Sequence, residues 1–324
     1  MFFLLILSGC RQKPQWQADV SDISRPQLTV SRYEQVLFTL NPYTLRQDIE
    51  PFIEKYYFFL GEAIDTPEGQ QQLFEYVTDP FLRELYLDVQ AQWPDTRSLE
   101  DALSEAFRYY RFHFPQENIP EIFTYVSGID YDMPVLFAND HLVIGLDNYL
   151  GEDYENYERI GVPQYMKHRL TPAHAPVDAI RRIAQSHLQQ HDSSPETLLD
   201  FIIYEGKLLY FLDSMFPLHH DTLKMPYTES QLKWIQNNAG PVWAYYIEND
   251  MFYSTDRQMI NKHVGPAPFT TAFSEQSAPR TGAWLGWQIV RKYMDRHSQV
   301  TLQELLQQQD ARKILNESGY RPGR

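Results

Sequence analysis

The chain has 324 residues, of which 43% are hydrophobic and 15% aromatic, and its formal net charge is −15. A chain of this length and composition can bury a sizeable core, so it is globular rather than disordered. The acidic balance argues against a nucleic-acid partner, because such a partner requires a basic face.

The N-terminal stretch MFFLLILSGC ends in the chain's single cysteine, Cys10. This apolar run with Leu-Ser-Gly-Cys at its end resembles the lipobox of bacterial lipoproteins, whose cysteine carries lipid; an accidental cysteine after a leader is the alternative. The run is too short to span a bilayer. We predict a signal-peptide core at 1–9, a lipidated (palmitate-bearing) tether at 10–26 and a single domain at 27–324. The predicted location is the cell envelope, anchored to a membrane and facing the periplasm.

The predicted elements, in chain order, begin with a strand at 26–34. Apolar residues at helical spacing predict helices at 43–60, 80–93 and 98–114, the last capped by Ser98 and Asp101. β-Branched and aromatic residues at 122–128 and 134–151 predict a short sheet of two or three strands. Further helices are predicted at about 153–167, 176–191, 195–216, 228–238, 241–253, 280–297 and 301–317. The predicted fold class is α+β, mostly α-helical, with a small mixed or antiparallel sheet.

A long stretch at 254–280 separates two of these helices and contains Gly265, Pro266 and Pro268. Loops of that length without secondary structure are often functional. Asp256 and Arg280 lie near its two ends. We therefore predict that this stretch forms the rim of a cleft.

His187 and His191 are spaced i, i+4, which places two imidazoles on one face of a helix where they can share a zinc ion. Zinc peptidases carry a general-base glutamate directly after the first histidine of such a pair. Leu188 occupies that position here. Without this base a bound water would lose its activating carboxylate, so the favoured prediction is that the chain holds no metal or other cofactor.

Glu205 lies in the stretch TLLDFIIYEGKLLYFL, which is apolar almost all round and so predicts a deeply buried helix. A buried carboxylate needs a cationic partner or a raised pKa. Lys207 or an arginine from elsewhere in the chain can serve as that partner. Gly206 is unfavourable in a helix interior, which suggests that another backbone approaches closely there.

Several segments of the sequence, referred to below as boxes, resemble those of the GldB family of gliding-motility lipoproteins. They are VIGLDNYLG, TLLDFIIYEGKLLYFLD, VWAYYIENDMFYSTD, APFT and GAWLGWQIVRKYM, in this order over about 28–320. The resemblance implies a membrane-anchored lipoprotein needed for gliding, a process tied to the type IX secretion machinery.

The same boxes are similar to a diverged zinc peptidase of the gluzincin type. That resemblance implies a gluzincin-like fold and places Glu205 on the position of the third, glutamate ligand. Asp178, Arg181 and Arg182 then stand where the other ligands are expected, so an arginine would replace the metal beside Glu205.

Two functions therefore compete. The favoured hypothesis is a non-catalytic component of the motility and secretion apparatus, that is, a pseudoenzyme. Its relic cleft, which includes Arg181, Arg182, Glu205, Asp256 and Arg280, binds a peptide or protein partner. An edge strand from 134–147 offers a place for an extended peptide. The alternative is an active periplasmic hydrolase that uses zinc bound by His187, His191 and Glu205, and the metal content of the purified protein separates the two.

Overall fold

A computed structural model describes residues 14–191 and 195–323, apart from the side chain of His191. Cys10 and the predicted leader lie outside the described residues. One cluster of buried apolar side chains extends from Val30 to Ile314.

The segment 15–26, predicted as part of the tether, lies against the body of the molecule. Gln15 Nε2 donates to the Val300 carbonyl at 2.7 Å. The ring of Trp16 meets the ring of Tyr210 edge to face, with the centroids 5.9 Å apart. Val20 is buried. From Gln15 onwards the chain is therefore packed against the core rather than extended as a spacer.

Between residues 14 and 154 the structure has six α-helices. They are α1 (Tyr33–Leu37), α2 (Leu45–Ile49), α3 (Tyr57–Leu60), α4 (Pro67–Thr78), α5 (Pro80–Gln92) and α6 (Arg97–His113). The predictions for α5 and α6 are confirmed within a residue or two. Helix α4 was not predicted, although Pro67 in its first turn and the Thr66 side chain, which accepts from the Gly69 N–H, are typical of a helix start.

Two local predictions in this half are wrong. The predicted helix 43–60 is divided into α2 and α3, with 3-10 turns at Pro42–Thr44 and Glu50–Phe52. Pro51 accounts for the break, because proline has no N–H to donate inside a helix. The N-cap of α6 is Thr96, with no side-chain cap hydrogen bond, and Ser98 lies inside the helix.

The sheet has four strands, β1 (Val30–Arg32), β2 (Glu121–Tyr125), β3 (Val135–Ala138) and β4 (His141–Gly145), in the order β1-β2-β4-β3. The pairs β1–β2 and β2–β4 are parallel, and β3–β4 is an antiparallel hairpin. Asn139 and Asp140 form its turn with positive φ, which these residues tolerate best after glycine. The predicted small sheet is confirmed and is mixed: the strand predicted at 26–34 joins it as β1, and the stretch predicted as two or three strands supplies three.

The described residues from 155 onwards form ten α-helices. They are α7 (Glu155–Arg159), α8 (Gln164–Lys167), α9 (Ala175–His191), α10 (Leu198–Met215), α11 (Asp221–Lys224), α12 (Glu229–Glu248), α13 (Arg257–Val264), α14 (Thr281–Arg296), α15 (Leu302–Gln307) and α16 (Ala311–Ser318). The predicted helices 153–167 and 301–317 are each two helices. Gly161, with φ of +83°, and Pro163 separate the first two.

Helix α12 continues through Pro241, where two helices were predicted to meet. The buried side chains of α12, which are Leu232, Ile235, Val242 and Tyr246, lie on both sides of the proline. Burial of one continuous apolar face offsets the hydrogen bond that Pro241 cannot make. The predicted capping box of Thr228 and Gln231 is confirmed.

Helices α10 and α14 cross in direct backbone contact. A Cβ atom on Gly206 would lie 2.3 Å from the carbonyl oxygen of Gly286. A Cβ atom on Gly286 would lie 1.8 Å from the carbonyl oxygen of Ile202. The close approach predicted at Gly206 is confirmed, and it fixes α10, which carries Glu205, against the start of α14.

Candidate functional site

A polar cavity of about 300 Å³ lies where α9, α10 and the beginning of β3 meet. Its charged or titratable lining consists of Asp132, Arg169, His174, Asp178, Arg181, Arg182, Glu205, Lys224 and Arg280. Four of the predicted cleft residues, Arg181, Arg182, Glu205 and Arg280, are thus brought together from α9, from α10 and from the residue that precedes α14.

Glu205 accepts from two arginines through one oxygen. Arg280 Nη2 lies 2.7 Å from Glu205 Oε2, and Arg181 Nη1 lies 3.5 Å from the same atom. Arg181 was a predicted partner, but Arg280 rather than Arg182 is the second one. The Glu205 side chain is 18% exposed, so the expectation of an inaccessible carboxylate is wrong: it borders the cavity. Lys207 donates instead to the Gln308 carbonyl.

Arg280 is held in an unusual backbone conformation. Its φ is +51°, in the left-handed region that costs a non-glycine residue free energy. Its Nε donates to the Val264 carbonyl at 2.9 Å. The next residue, Thr281, contacts the buried hydroxyl of Tyr246 at 3.1 Å. These contacts direct the guanidinium of Arg280 towards Glu205.

Burial has a direct electrostatic effect on Arg181. It lowers the pKa of the Arg181 guanidinium, and the nearby Glu205 carboxylate counteracts part of that decrease. Arg181 Nη2 also donates to the Lys224 carbonyl at 3.1 Å. An arginine remains protonated at neutral pH even so, so this part of the cavity wall is cationic.

Arg182 is the least satisfied cation of the cavity. Its Nη1 donates to Gln185 Oε1 at 3.3 Å. Its Nε is buried and has no hydrogen-bond partner among the described residues. Arg182 therefore has donor capacity that the described part of the chain leaves unused.

Asp178 lies beside this cluster and is already paired. Arg169 Nη2 donates to Asp178 Oδ2 at 2.9 Å, and the Tyr149 hydroxyl donates to the same oxygen at 3.0 Å. Proximity to Asp178 raises the pKa of Arg169. Burial lowers the pKa of His174 to about 4, so that imidazole is neutral at pH 7.

The charge of Lys224 is neutralised by Asp213, which does not line the cavity. Lys224 Nζ lies 2.8 Å from Asp213 Oδ1, and Arg291 Nε lies 2.7 Å from Asp213 Oδ2. Arg291 also pairs with Asp221 at 3.0 Å. Lys224, Arg169 and His174 were not predicted as site residues. They lie on short segments without the helical periodicity that indicates a buried face.

Asp256 does not line the cavity. Its carboxylate accepts from the N–H groups of Gln258 and Met259 and caps α13. The prediction of an unstructured stretch at 254–280 is wrong, because α13 forms within it. Pro266 and Arg280 are the parts of that stretch that border the cavity.

His187, which is on α9, packs among aromatic side chains of other elements. Its Nε2 lies 2.9 Å from the Tyr110 hydroxyl, and its ring stacks on Phe114 with the centroids 4.6 Å apart. The described residues hold no group of three or more His, Cys, Asp or Glu side chains placed to bind a metal ion. The side chain of His191 lies outside the described atoms, so the predicted zinc set stays untested.

The beginning of β3 leads directly into the cavity. The Gly145 N–H donates to the Pro134 carbonyl, and Leu136 pairs with Val143. By the alternation of an antiparallel ladder, Val135 and Phe137 direct their N–H and C=O groups away from β4. Among the described strands, β3 is an edge of the sheet. Within the described part of the chain, this edge of the sheet therefore begins beside the arginine cluster.

A buried carboxylate holds the loop that precedes β3. Asp147 accepts from the N–H and hydroxyl of Ser127 and from the N–H of Ile129, at 2.6 to 3.1 Å. Burial raises the pKa of Asp147, and these hydrogen bonds act against that increase. Asp147 thereby fixes the position of the 132–135 side of the cavity.

The fold and site define a mostly helical protein with a small mixed sheet and a polar cleft at its antiparallel edge strand. The chain belongs to the family of the gliding motility protein GldB, whose family model matches residues 13–322. The predicted membership is confirmed, and it implies a lipoprotein with a role in gliding motility. No curated protein and no solved structure matches the chain. Within residues 14–191 and 195–323, no helix combines the length and apolar character needed to cross a membrane.

Proposed function

We propose that this protein is a lipid-anchored, non-catalytic component of the gliding-motility apparatus that binds an extended peptide segment of a partner. The lipid is attached at Cys10, and the folded body faces the periplasm. The observation that carries the proposal is that β3, an edge strand among the described residues, begins at the charged cavity. Strand addition to such an edge supplies main-chain hydrogen bonds, while neighbouring side chains supply specificity.

The side chains around Glu205 support a non-catalytic role. In the gluzincin-like comparison made from the sequence, Glu205 occupies a ligand position. Here its carboxylate is already paired with Arg280 and Arg181. Two guanidinium groups thus supply the positive charge that a divalent cation would bring. This arrangement favours a relic cleft, which still binds a peptide but no longer hydrolyses it.

A matched pair of variants at Phe137 tests the proposal. Phe137→Ala and Phe137→Pro both remove the ring, but only proline also removes the outward N–H. Proline is tolerated at such edge positions. Lipidated protein is purified from native membranes, and partners are identified by mass spectrometry. We expect Phe137→Ala to retain its partner and Phe137→Pro to lose it. Equal capture by both folded variants would show that the β3 edge is not used.

A further inference from the structure

The cavity beside β3 has an imbalance of charge. Arg169 is paired with Asp178, and Lys224 is paired with Asp213. Among the described residues, the other interior groups of the cavity are the three guanidiniums of Arg181, Arg182 and Arg280 and the one carboxylate of Glu205. Three positive charges against one negative charge leave a surplus of two. Asp132 is exposed at the rim, where water screens its charge.

This surplus is unusual in a chain whose formal net charge is −15. Arg181 and Arg280 are each only 14% exposed at the side chain, so their charges are partly removed from water. Partly buried cations of like sign repel each other, and a second anion would relieve that repulsion.

The direction of β3 specifies how a peptide would present an anion. Strand β3 begins beside the cavity at Val135 and runs away from it to Ala138. A peptide antiparallel to β3 therefore has its C-terminal end at the cavity, and a parallel one has its N-terminal end there. A positive cavity favours a carboxylate and disfavours an ammonium group.

From these observations we infer that the cavity binds a peptide carboxylate, at the C-terminal end of a segment that lies antiparallel along the β3 edge. This inference rests on the proposed function and names the chemistry that the cleft selects. Arg182 and Arg280 provide forked N–H donors, whose geometry suits a carboxylate better than a lysine ammonium would. Arg181, which bonds the same Glu205 oxygen as Arg280, adds a further positive charge.

The test compares three N-acetylated probe peptides by isothermal titration at low salt. They are Ser-Val-Thr-Val-Ala with a free C-terminal carboxylate, the same peptide as a C-terminal amide, and the amide of Ser-Val-Thr-Val-Glu. We expect the acid to bind about tenfold or more tightly than the neutral amide, because a charged hydrogen bond is lost in the amide. Equally tight binding of the glutamate amide would show that the cavity accepts a carboxylate from a glutamate side chain as well as from the peptide C-terminus.

Variants connect the preference to the cavity. Arg182→Gln should reduce the acid-to-amide ratio to near one, whereas Arg182→Lys should retain part of it. Arg97, whose side chain is 82% exposed, provides the control, since Arg97→Gln removes a charge outside the cavity. Unfolding curves measured in parallel show whether each variant is folded.

Three results would overturn the inference. Equal binding of the acid and the neutral amide would do so, while leaving a peptide-binding edge in place. Tighter binding of inorganic phosphate than of the acid peptide would reassign the cavity to phosphate. Absence of binding by all three peptides would remove the carboxylate site, and partner capture by the Phe137 pair would still decide the proposed function separately.

Discussion

At the scale of single residues, Glu205 shows how one partly buried carboxylate organises its surroundings. Its carboxylate accepts from Arg280 at 2.7 Å and from Arg181 at 3.5 Å. Removal of one arginine leaves the carboxylate with the other. Removal of the carboxylate leaves partly buried guanidiniums without a counterion, which is the more costly change.

We therefore predict that Glu205→Gln lowers the free energy of unfolding by about 1–3 kcal/mol, and more than Arg181→Gln does. The double variant Glu205→Gln with Arg181→Gln should recover part of the loss, because one of the repelling charges is gone. Urea unfolding of the four proteins gives the coupling free energy of the pair. Strictly additive effects would show that the two side chains do not interact.

At the scale of elements, the crossing of α10 and α14 depends on two glycines. Gly206 and Gly286 bring the helix backbones into contact, and the carbonyl oxygen of Ile202 occupies the space of a Gly286 side chain. The contact lies next to Glu205 in the chain. Separation of the helices would therefore also alter the position of the carboxylate relative to Arg280.

Gly286→Ala should lower the free energy of unfolding by about 1–3 kcal/mol or more, because the added methyl group would overlap with a backbone carbonyl rather than a movable side chain. Thermal or urea unfolding measures this change. Gly323→Ala is the control, since a Cβ atom on Gly323 would meet no atom within 4 Å. A Gly286→Ala protein as stable as the control would contradict the observed crossing.

At the scale of the whole molecule, buried histidines make stability depend on pH. Burial lowers the pKa values of His113, His174 and His263 to about 4, compared with about 6.5 for an unfolded histidine. Between these values the unfolded chain binds protons that the folded chain does not. The stability that these three histidines contribute is therefore fully present above about pH 6.5 and is lost as the pH falls towards 4.

We expect the free energy of unfolding to decrease across this window, by up to about 3 kcal/mol for each such histidine. Urea titrations at pH 7, 5.5 and 4.5 measure the slope. His263→Gln, at a residue only 2% exposed, should flatten the slope, whereas His220→Gln, at a side chain 57% exposed, should leave it unchanged. An identical slope in both variants would rule out His263 as a contributor.

The sequence by itself determined the local features of this protein and its family. Hydrophobic periodicity placed α5, α6, α9, α10 and α14, and the Thr228 capping box marked the start of α12 correctly, because these features depend on neighbours within a few residues. Glu205, in a helix that is otherwise apolar, predicted a cationic partner for its carboxylate. Gly206 beside it predicted the close approach of another backbone segment. The sequence boxes predicted membership of the GldB family, which the family match confirmed.

The tertiary structure alone decided which distant groups meet. Arg280 lies 75 positions from Glu205, and no periodicity relates the two. The strand order β1-β2-β4-β3 and the continuity of α12 through Pro241 depend on burial against other elements, which overrides local preference. The surplus of cations in the cavity arises in the same way, because charges that are scattered along an acidic sequence become neighbours only when packing of the helices brings them together.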